Sequence, residues 1–485
     1  MRTRMMKSAA LLLGLAGCLT IAEAQLPAGS AGSSPAPSAT PLNLTQTPAL
    51  ETLNGSAMID KPVPGVLSIS ILDAIDRGLR HNLALLLSQQ EDQTARAQHR
   101  RELSALLPNV SGSVSDSVNQ INLSAFGIPL PPGLTSPVVG PFGLMDAHAA
   151  FSQTVWDFSQ LNRVRAAAEN QKAAVYSIQD ARELVVLAVG NQYLLALANA
   201  SRFDTANAQL ATAQAVFAQA QDMKKAGVSA GIDVLRAQVQ MQTQQQRVLA
   251  ARNQFEHQKM VLARTIGLPV SQQIELTDKS PYAPLPALNL DEALARAYQR
   301  RPEYLAAEAR THAAELELTA ARREHMPVAQ VGGQVGVNGP NPGNAHEIYN
   351  LTAGVTIPIF QGGRVKADVQ RAEATLRQNK MQLEDLHNRV ELEIRSALLD
   401  VKTAEDQVAV AQQSIALAGE QLSEAKDRFR AGVSDSLEVV QSQEAVATAN
   451  ETLIQALYLD NVAKLSLAHA LGEAEQRTKA FLGGK

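Results

Sequence analysis

One thirteen-residue string occurs twice in this chain with little change. AGVSAGIDVLRAQ runs from Ala226 to Gln238 and AGVSDSLEVVQSQ from Ala431 to Gln443, an offset of 205. Ile266-Gly267 falls on Leu471-Gly472 at the same offset. Nearer the N-terminus, Ile71, Ala74, Ile75 and Leu79 align with Leu290, Ala293, Leu294 and Tyr298 at an offset of 219, and Pro108 falls on Pro327. The offset drops by 14 between the prolines and the later match, so one loop of the first copy is longer by that amount. Self-similarity over so long a period is the mark of a fold built twice. The copies span 66–270 and 286–472, with a linker at 271–285 and a tail at 473–485.

Each copy has the same internal order. A short helix (Leu72 to Asn82, or Leu290 to Arg301) precedes a second that ends before Pro108 or Pro327, as the restriction on residues preceding proline requires. Period-two segments follow. Val331, Gly333, Val335 and Val337 alternate with Gly332, Gln334, Gly336 and Asn338; Leu351, Ala353, Val355, Ile357 and Ile359 alternate with small or polar residues. In the first copy Val110, Gly112, Val114 and Val118 interleave with serines, and Ala147, Ala149, Phe151, Gln153 and Val155 form the partner. These are strands with one apolar and one small or polar face. The connections are Gly127 to Gly143 and Gly339 to Gly343.

A very long helix comes next. Ile394, Val401, Val408, Ile415, Leu422 and Phe429 recur every seven residues, and Ala397, Ala404, Ala411, Ala418 and Ala425 sit three residues after the first five. Phe203, Leu210 and Phe217 with Ala206, Ala213 and Ala220 repeat the theme in the first copy, and the return helices keep the period through Val234, Met241, Val248, Phe255 and Leu262. Alternating large residues and alanines allow close, left-handed helix pairing. A helix from Leu161 to Lys225 would be about 90–100 Å long, far beyond any compact domain. Aromatics make up only 4% of the chain, too few for a broad globular core, which fits a rod.

The N-terminus reads as an export signal over 1–24: Arg2, Arg4 and Lys7, then an apolar run from Ala9 to Ile21 too short to span a bilayer. Ala22-Glu23-Ala24 offers an ordinary cleavage site, slightly preferred; Leu15-Ala16-Gly17-Cys18 offers the alternative of a lipidated Cys18. Residues 25–65, rich in Pro, Ser, Ala and Gly, are expected to stay without a packed core. Charges sum to −4 with both signs interspersed, so no nucleic-acid partner is indicated.

Four strands cannot close a barrel, and open edges are not tolerated in lipid, so strands facing lipid must be shared among chains. Phe126, Phe142, Phe151, Trp156, Phe158, Tyr349 and Phe360 near strand ends suit an interfacial girdle. A water-soluble β-sandwich capped by a coiled coil is the other reading of the pattern.

The duplicated order of helix, strand, strand and helical hairpin, the proline opening each outgoing strand, PIFQGGR (Pro358 to Arg364) and the two AGVS turns followed by an acid resemble the outer-membrane efflux protein family, the TolC-like channel-tunnels of Gram-negative bacteria. The resemblance covers about 67–472 and implies a mainly α fold with a β-barrel contribution. It further implies a homotrimer with a twelve-stranded barrel in outer-membrane lipid, four strands per chain, and a periplasmic α-barrel. The implied partners are a periplasmic adaptor and an inner-membrane transporter of the RND or ABC type. By the same resemblance, Asp233 and Glu438 belong to an acidic constriction at the closed periplasmic end. A second acid that the family often carries one turn later is absent, Arg236 and Gln441 standing there. The tips Gly227, Val228, Ser229 and Gly432, Val433, Ser434 become the adaptor's docking surface.

Local chemistry gives the same residues structural work. The glycines suit positive φ just beyond a helix end, the serines suit N-caps, and an acid in a first helical turn favours the macrodipole. Lys224, Lys225, Arg428 and Arg430 read as a solvated face or as ion-pair partners. An enzyme is not indicated. The nine histidines are scattered, His346-Glu347 lacks the second histidine of a zinc motif, and no phosphate loop is present. No metal or cofactor is expected. The readings left are a passive exit duct and a periplasmic coiled-coil scaffold or adhesin stalk, and acids at both tips with duplicated strand hairpins favour the duct.

Overall fold

Alanine and leucine content, caps and heptads make most of this chain helical. The computed structural model describes residues 53–57, 64–127, 136–227, 230–278, 282–286 and 288–481, all within one unit, Gln46–Lys485. The export signal with Cys18, and Val228 and Ser229 at the first tip, lie outside the described residues.

Strand β1 (Leu67–Ile69) leads into α1 (Ile71–His81), opened by a capping box between Ser70 and Asp73. Asn82 ends α1 and caps α2 (Leu83–Ser104) through Ala84 N at 2.9 Å. Strands β2 (Asn109–Asn122) and β3 (Val138–Trp156) follow, then α3 (Phe158–Lys225), whose N-cap Asp157 accepts from Ser159 N and Gln160 N. Helix α4 (Gly231–Thr265) returns, and β4 (Ile274–Leu276) pairs with β1 in parallel. The second series comprises α5 (Leu290–Arg300), α6 (Pro302–Arg322), β5 (Val328–Gly339), β6 (His346–Thr356), α7 (Arg364–Arg430), α8 (Ser436–Ala470) and a closing α9 (Ala474–Phe481).

Helices α3 and α7 have 68 and 67 residues, about 100 Å each. The heptads translate into burial: Ile394, Val401, Val408 and Phe429 are buried, as are all five alanines from Ala397 to Ala425. In α3 the alanines Ala206, Ala213 and Ala220 are buried, while Phe203, Leu210 and Phe217 are half-buried. The largest apolar cluster lies at mid-length, joining Val185, Val189, Tyr193 and Leu197 of α3 to Val390 and Ile394 of α7 and Leu465 of α8. Helix α3 is apolar enough in composition to cross a membrane, but this stretch is core.

Four strands form one antiparallel sheet in the order β2-β3-β5-β6, so β2 and β6 are its edges. Two expectations need correction here. Ile357 and Ile359 lie beyond β6, which ends at Thr356, so the alternation outruns the strand. β3 begins at Val138, before the expected end of the first connection, because Gly140, Pro141 and Gly143 hide its period. The tail at 473–485 holds α9, whose first N–H groups, of Ala474 and Glu475, donate to the Glu183 carboxylate at 2.6 and 3.4 Å. The β1–β4 pair is a further element without a periodic signal. Tyr193 Oη anchors it, donating to Ile69 O at 3.0 Å and to Asp278 at 2.7 Å.

Candidate functional site at the hairpin tips

The two hairpins, α3 with α4 and α7 with α8, end side by side. Gly227 and Gly432 take φ of 73° and 70°, just past the helix ends at Ala226 and Ala431. Without a Cβ this left-handed conformation costs little, and it lets Gly432 N and Val433 N donate back to Phe429 O and Arg428 O at 3.0 and 3.1 Å.

Ser434 is not the N-cap of α8. Asp435 is, accepting from Leu437 N at 3.1 Å and Glu438 N at 3.4 Å. A carboxylate there satisfies two orphan donors and the helix dipole together, and leaves the serine free for other work. Ser434 Oγ instead donates to the Glu438 carboxylate. Helix α4 starts at Ala230 with no side-chain cap.

The two acids singled out by the repeat occupy unlike surroundings. Asp233 is buried, and Ser436 Oγ, itself fully buried, donates to its Oδ1 at 2.8 Å. Arg236 lies 3.7 Å from Asp233 and 3.7 Å from Asp435, bridging the hairpins. Glu438 is more open, its side chain 39% exposed, with Arg428 at 3.6 Å. Of the other basic residues at the tips, Lys225 pairs with Asp222 and Arg430 with Asp427, each within its own helix. Beneath these contacts Val216, Ala220, Ala237, Ala425, Phe429 and Val439 form a small apolar cluster. About three helical turns from Asp233, Gln240, Gln244 and Arg247 of α4 all donate to Glu444 of α8. Arg247 and neighbouring hydrogen bonds hold Glu444 below the usual carboxylate range despite its partial burial.

Sequence reading found Asp233 and Glu438 but missed Ser436, Arg236, Asp435 and Glu444 as their partners and supports. A signal was present. At the repeat offset Ser436 falls on Gly231, Asp435 on Ala230 and Arg236 on Gln441, so positions where the copies disagree supply the cross-hairpin contacts. Among the described residues no group of three or more His, Cys, Asp or Glu is arranged to hold a metal ion.

Comparison with known proteins gives consistent matches. A family model described as outer membrane efflux protein matches residues 74–268 and 293–473. The pyoverdine export outer membrane protein OpmQ of Pseudomonas putida is 26% identical over 294 residues, 59% of this chain; the alignment spans 61% of that protein's own length. The toluene efflux pump outer membrane protein TtgC of the same species is 23% identical over 82% of both chains. Among solved structures, a membrane protein from Pseudomonas aeruginosa superposes with a TM-score of 0.72 at 20% identity, over 86% of this chain and 96% of its own. The Campylobacter jejuni CmeC outer membrane channel gives 0.71 at 17% identity, over 83% and 86%. The family model covers most of the chain, and the chain therefore belongs to the outer membrane efflux protein family, a protein of the Gram-negative outer membrane with a helical tunnel in the periplasm.

Proposed function

We propose that this protein is the outer-membrane exit duct of a tripartite efflux or type I secretion system. Three copies form a twelve-stranded barrel above a periplasmic α-barrel, each contributing its two repeats, 66–270 and 286–472. The observation that carries this reading is the state of the sheet. Among the described residues its edge strands β2 and β6 have no further neighbour, and its apolar face leaves Val114, Tyr349 and Leu351 between 75% and 87% exposed. Such edges and such a face suit closure by further copies and contact with lipid tails. Leu392, Leu399, Val410 and Leu417 lie exposed along α7, an apolar stripe suited to a neighbouring copy below the barrel.

In this reading the chain does no chemistry and supplies no energy. An inner-membrane transporter of the RND or ABC type drives the cargo, and a periplasmic adaptor docks on the tips Gly227, Val228, Ser229 and Gly432, Val433, Ser434, where Val433 is 72% exposed. Glu438 faces the closed constriction. Asp233 is its hidden counterpart, latched by Ser436 at rest and turned toward the lumen as the hairpins separate.

Single-channel recording of the purified protein in planar bilayers tests the reading, comparing wild type with Asp233→Ala plus Glu438→Ala, with and without divalent cations. A small conductance blocked by divalent cations, with the block lost in the variant, is expected. A well-folded oligomer with no conductance would favour a coiled-coil scaffold or adhesin stalk instead.

A further inference from the structure

The faces of the four-stranded sheet differ in hydropathy and divide its carboxylates, the valine face carrying Asp116 and Glu347 and the other face Asp146. The register sets Ser115 opposite Asp146 and Ser113 opposite His148, and continues these rows to Asn338 and Gly336 in β5 and to His346 and Ile348 in β6. Side chains alternate along a strand, so Asp146, His148 and His346 share the face turned away from the exposed valines. On that face Asp146 is the single carboxylate of the four strands, and no Lys or Arg accompanies it. The remaining residues there are hydroxyls, amides and uncharged side chains.

His148 Nδ1 hydrogen-bonds the Asp146 carboxylate, and Ser113 Oγ lies 3.2 Å from Nε2. The serine is also 3.4 Å from Nδ1, so it sits beside the ring and not in line with Nε2. A nucleophile activated by a base needs that line, and the trio is therefore no catalytic triad. On the other side β5 approaches so closely that a Cβ on Gly336 would stand 2.5 Å from His148 Cα, so the register neighbour of His148 in β5 brings no side chain. Asp146 and His148 remain about a quarter exposed.

We infer that the Asp146–His148 pair sets the charge preference of the exit barrel. The inference rests on the barrel reading above, in which three copies place these pairs in one ring, and the other described strand residues of that face carry no Asp, Glu, Lys or Arg. Such a ring acts on passing ions within roughly 10 Å at ordinary salt and favours cations. From β2 and β5, which flank the pair, no charged side chain faces the carboxylate.

The test uses Ser115→Cys, placed beside Asp146, in full-length protein reconstituted in vesicles, with the parent chain correcting for Cys18. The readout is the ratio of reaction rates with a trimethylammonium and a sulfonate methanethiosulfonate reagent. At pH 8 the cationic reagent is expected to react faster. Adding Asp146→Asn lowers the ratio about five- to tenfold, whereas Asp146→Glu preserves it. A reactive thiol at position 115 whose ratio ignores Asp146→Asn overturns the inference and leaves the duct standing. Val114→Cys, on the apolar face, is the control: if its thiol reacts from water as fast as the one introduced by Ser115→Cys, the barrel reading fails and the inference with it.

Discussion

Ser436 donates a hydrogen bond of 2.8 Å to the buried carboxylate of Asp233, joining the start of the second return helix to the start of the first across 203 positions of sequence. The contact ties together two hairpins that the proposed mechanism must separate. A buried hydrogen bond to a charged group contributes roughly 1.5–3 kcal/mol, and its loss leaves the carboxylate short of a donor. Ser436→Ala should therefore weaken tip closure without unfolding the helices, whose main apolar cluster lies far above. The check is single-channel recording, with higher resting conductance expected; Ser436→Thr, which keeps the hydroxyl, should stay near wild type.

The buried ion pair of Lys464 and Asp460 calls for a double-variant comparison. Lys464 Nζ donates to Asp460 at 2.6 Å and to Ala283 O at 2.6 Å, and both side chains are almost fully buried. Lys464→Met strands a carboxylate in the core and is expected to cost about 3–5 kcal/mol. Lys464→Met with Asp460→Leu removes both charges and should recover most of that loss. Chemical unfolding followed by circular dichroism distinguishes the two cases.

Gly472 and Gly227 share a positive φ but not a neighbourhood. A Cβ on Gly472, at φ 68°, would lie 2.9 Å from Arg301 Cα and 3.0 Å from Arg301 N, while one on Gly227 meets nothing within 4 Å. Gly227→Ala should cost about 1–2 kcal/mol from backbone conformation alone. Gly472→Ala adds a collision with backbone that cannot swing aside, so its melting temperature should fall distinctly further.

Acid stability depends on groups that pull in opposite directions. Burial, aided by nearby Glu303, pushes Asp180 up to about 6 from 3.8. Burial also pushes Glu183 up to about 6 from 4.5, against the pull of the Ala474 and Glu475 amides. Between those values the folded chain keeps protons that the unfolded chain has released, so this stability is present at low pH and is lost as pH rises through about 6. For His469, burial and then Arg301 push the imidazole down to about 4 from 6.5. Its stability is present above 6.5 and is lost as pH falls through about 4. The opposing slopes predict a shallow profile for wild type between pH 7 and 4.5. His469→Gln should become more stable on acidification and Asp180→Asn less so, measured as melting temperature against pH.

The sequence by itself determined which elements form and in what order. A heptad with alanine three residues after each large residue commits α7 to close pairing, because burial of that stripe repeats with the helix turn. Period-two alternation marks Val110 to Val118 and Val331 to Val337 as strands for the same local reason. Gly227 and Gly432 were legible as helix ends because a reversal there needs positive φ. Capping chemistry was legible only in part, since Ser434 and Asp435 are both good caps in adjacent positions and one helix end can use only one of them.

Tertiary structure decided what the functional residues touch. Asp233 and Glu438 are equivalent in the repeat, yet one is buried against Ser436 and the other is open beside Arg428. No periodicity relates α4 to α8, and the lateral packing of the two hairpins sets their contacts. Arg236 shows the consequence most plainly. In the sequence it marks a missing acid, and in the structure it spans Asp233 and Asp435. The β1–β4 pair and the docking of α9 on Glu183 likewise join segments about 200 and 290 positions apart. Such contacts form only after the long helices have brought those segments together, because a local pattern records the partner's kind of surface and not its identity.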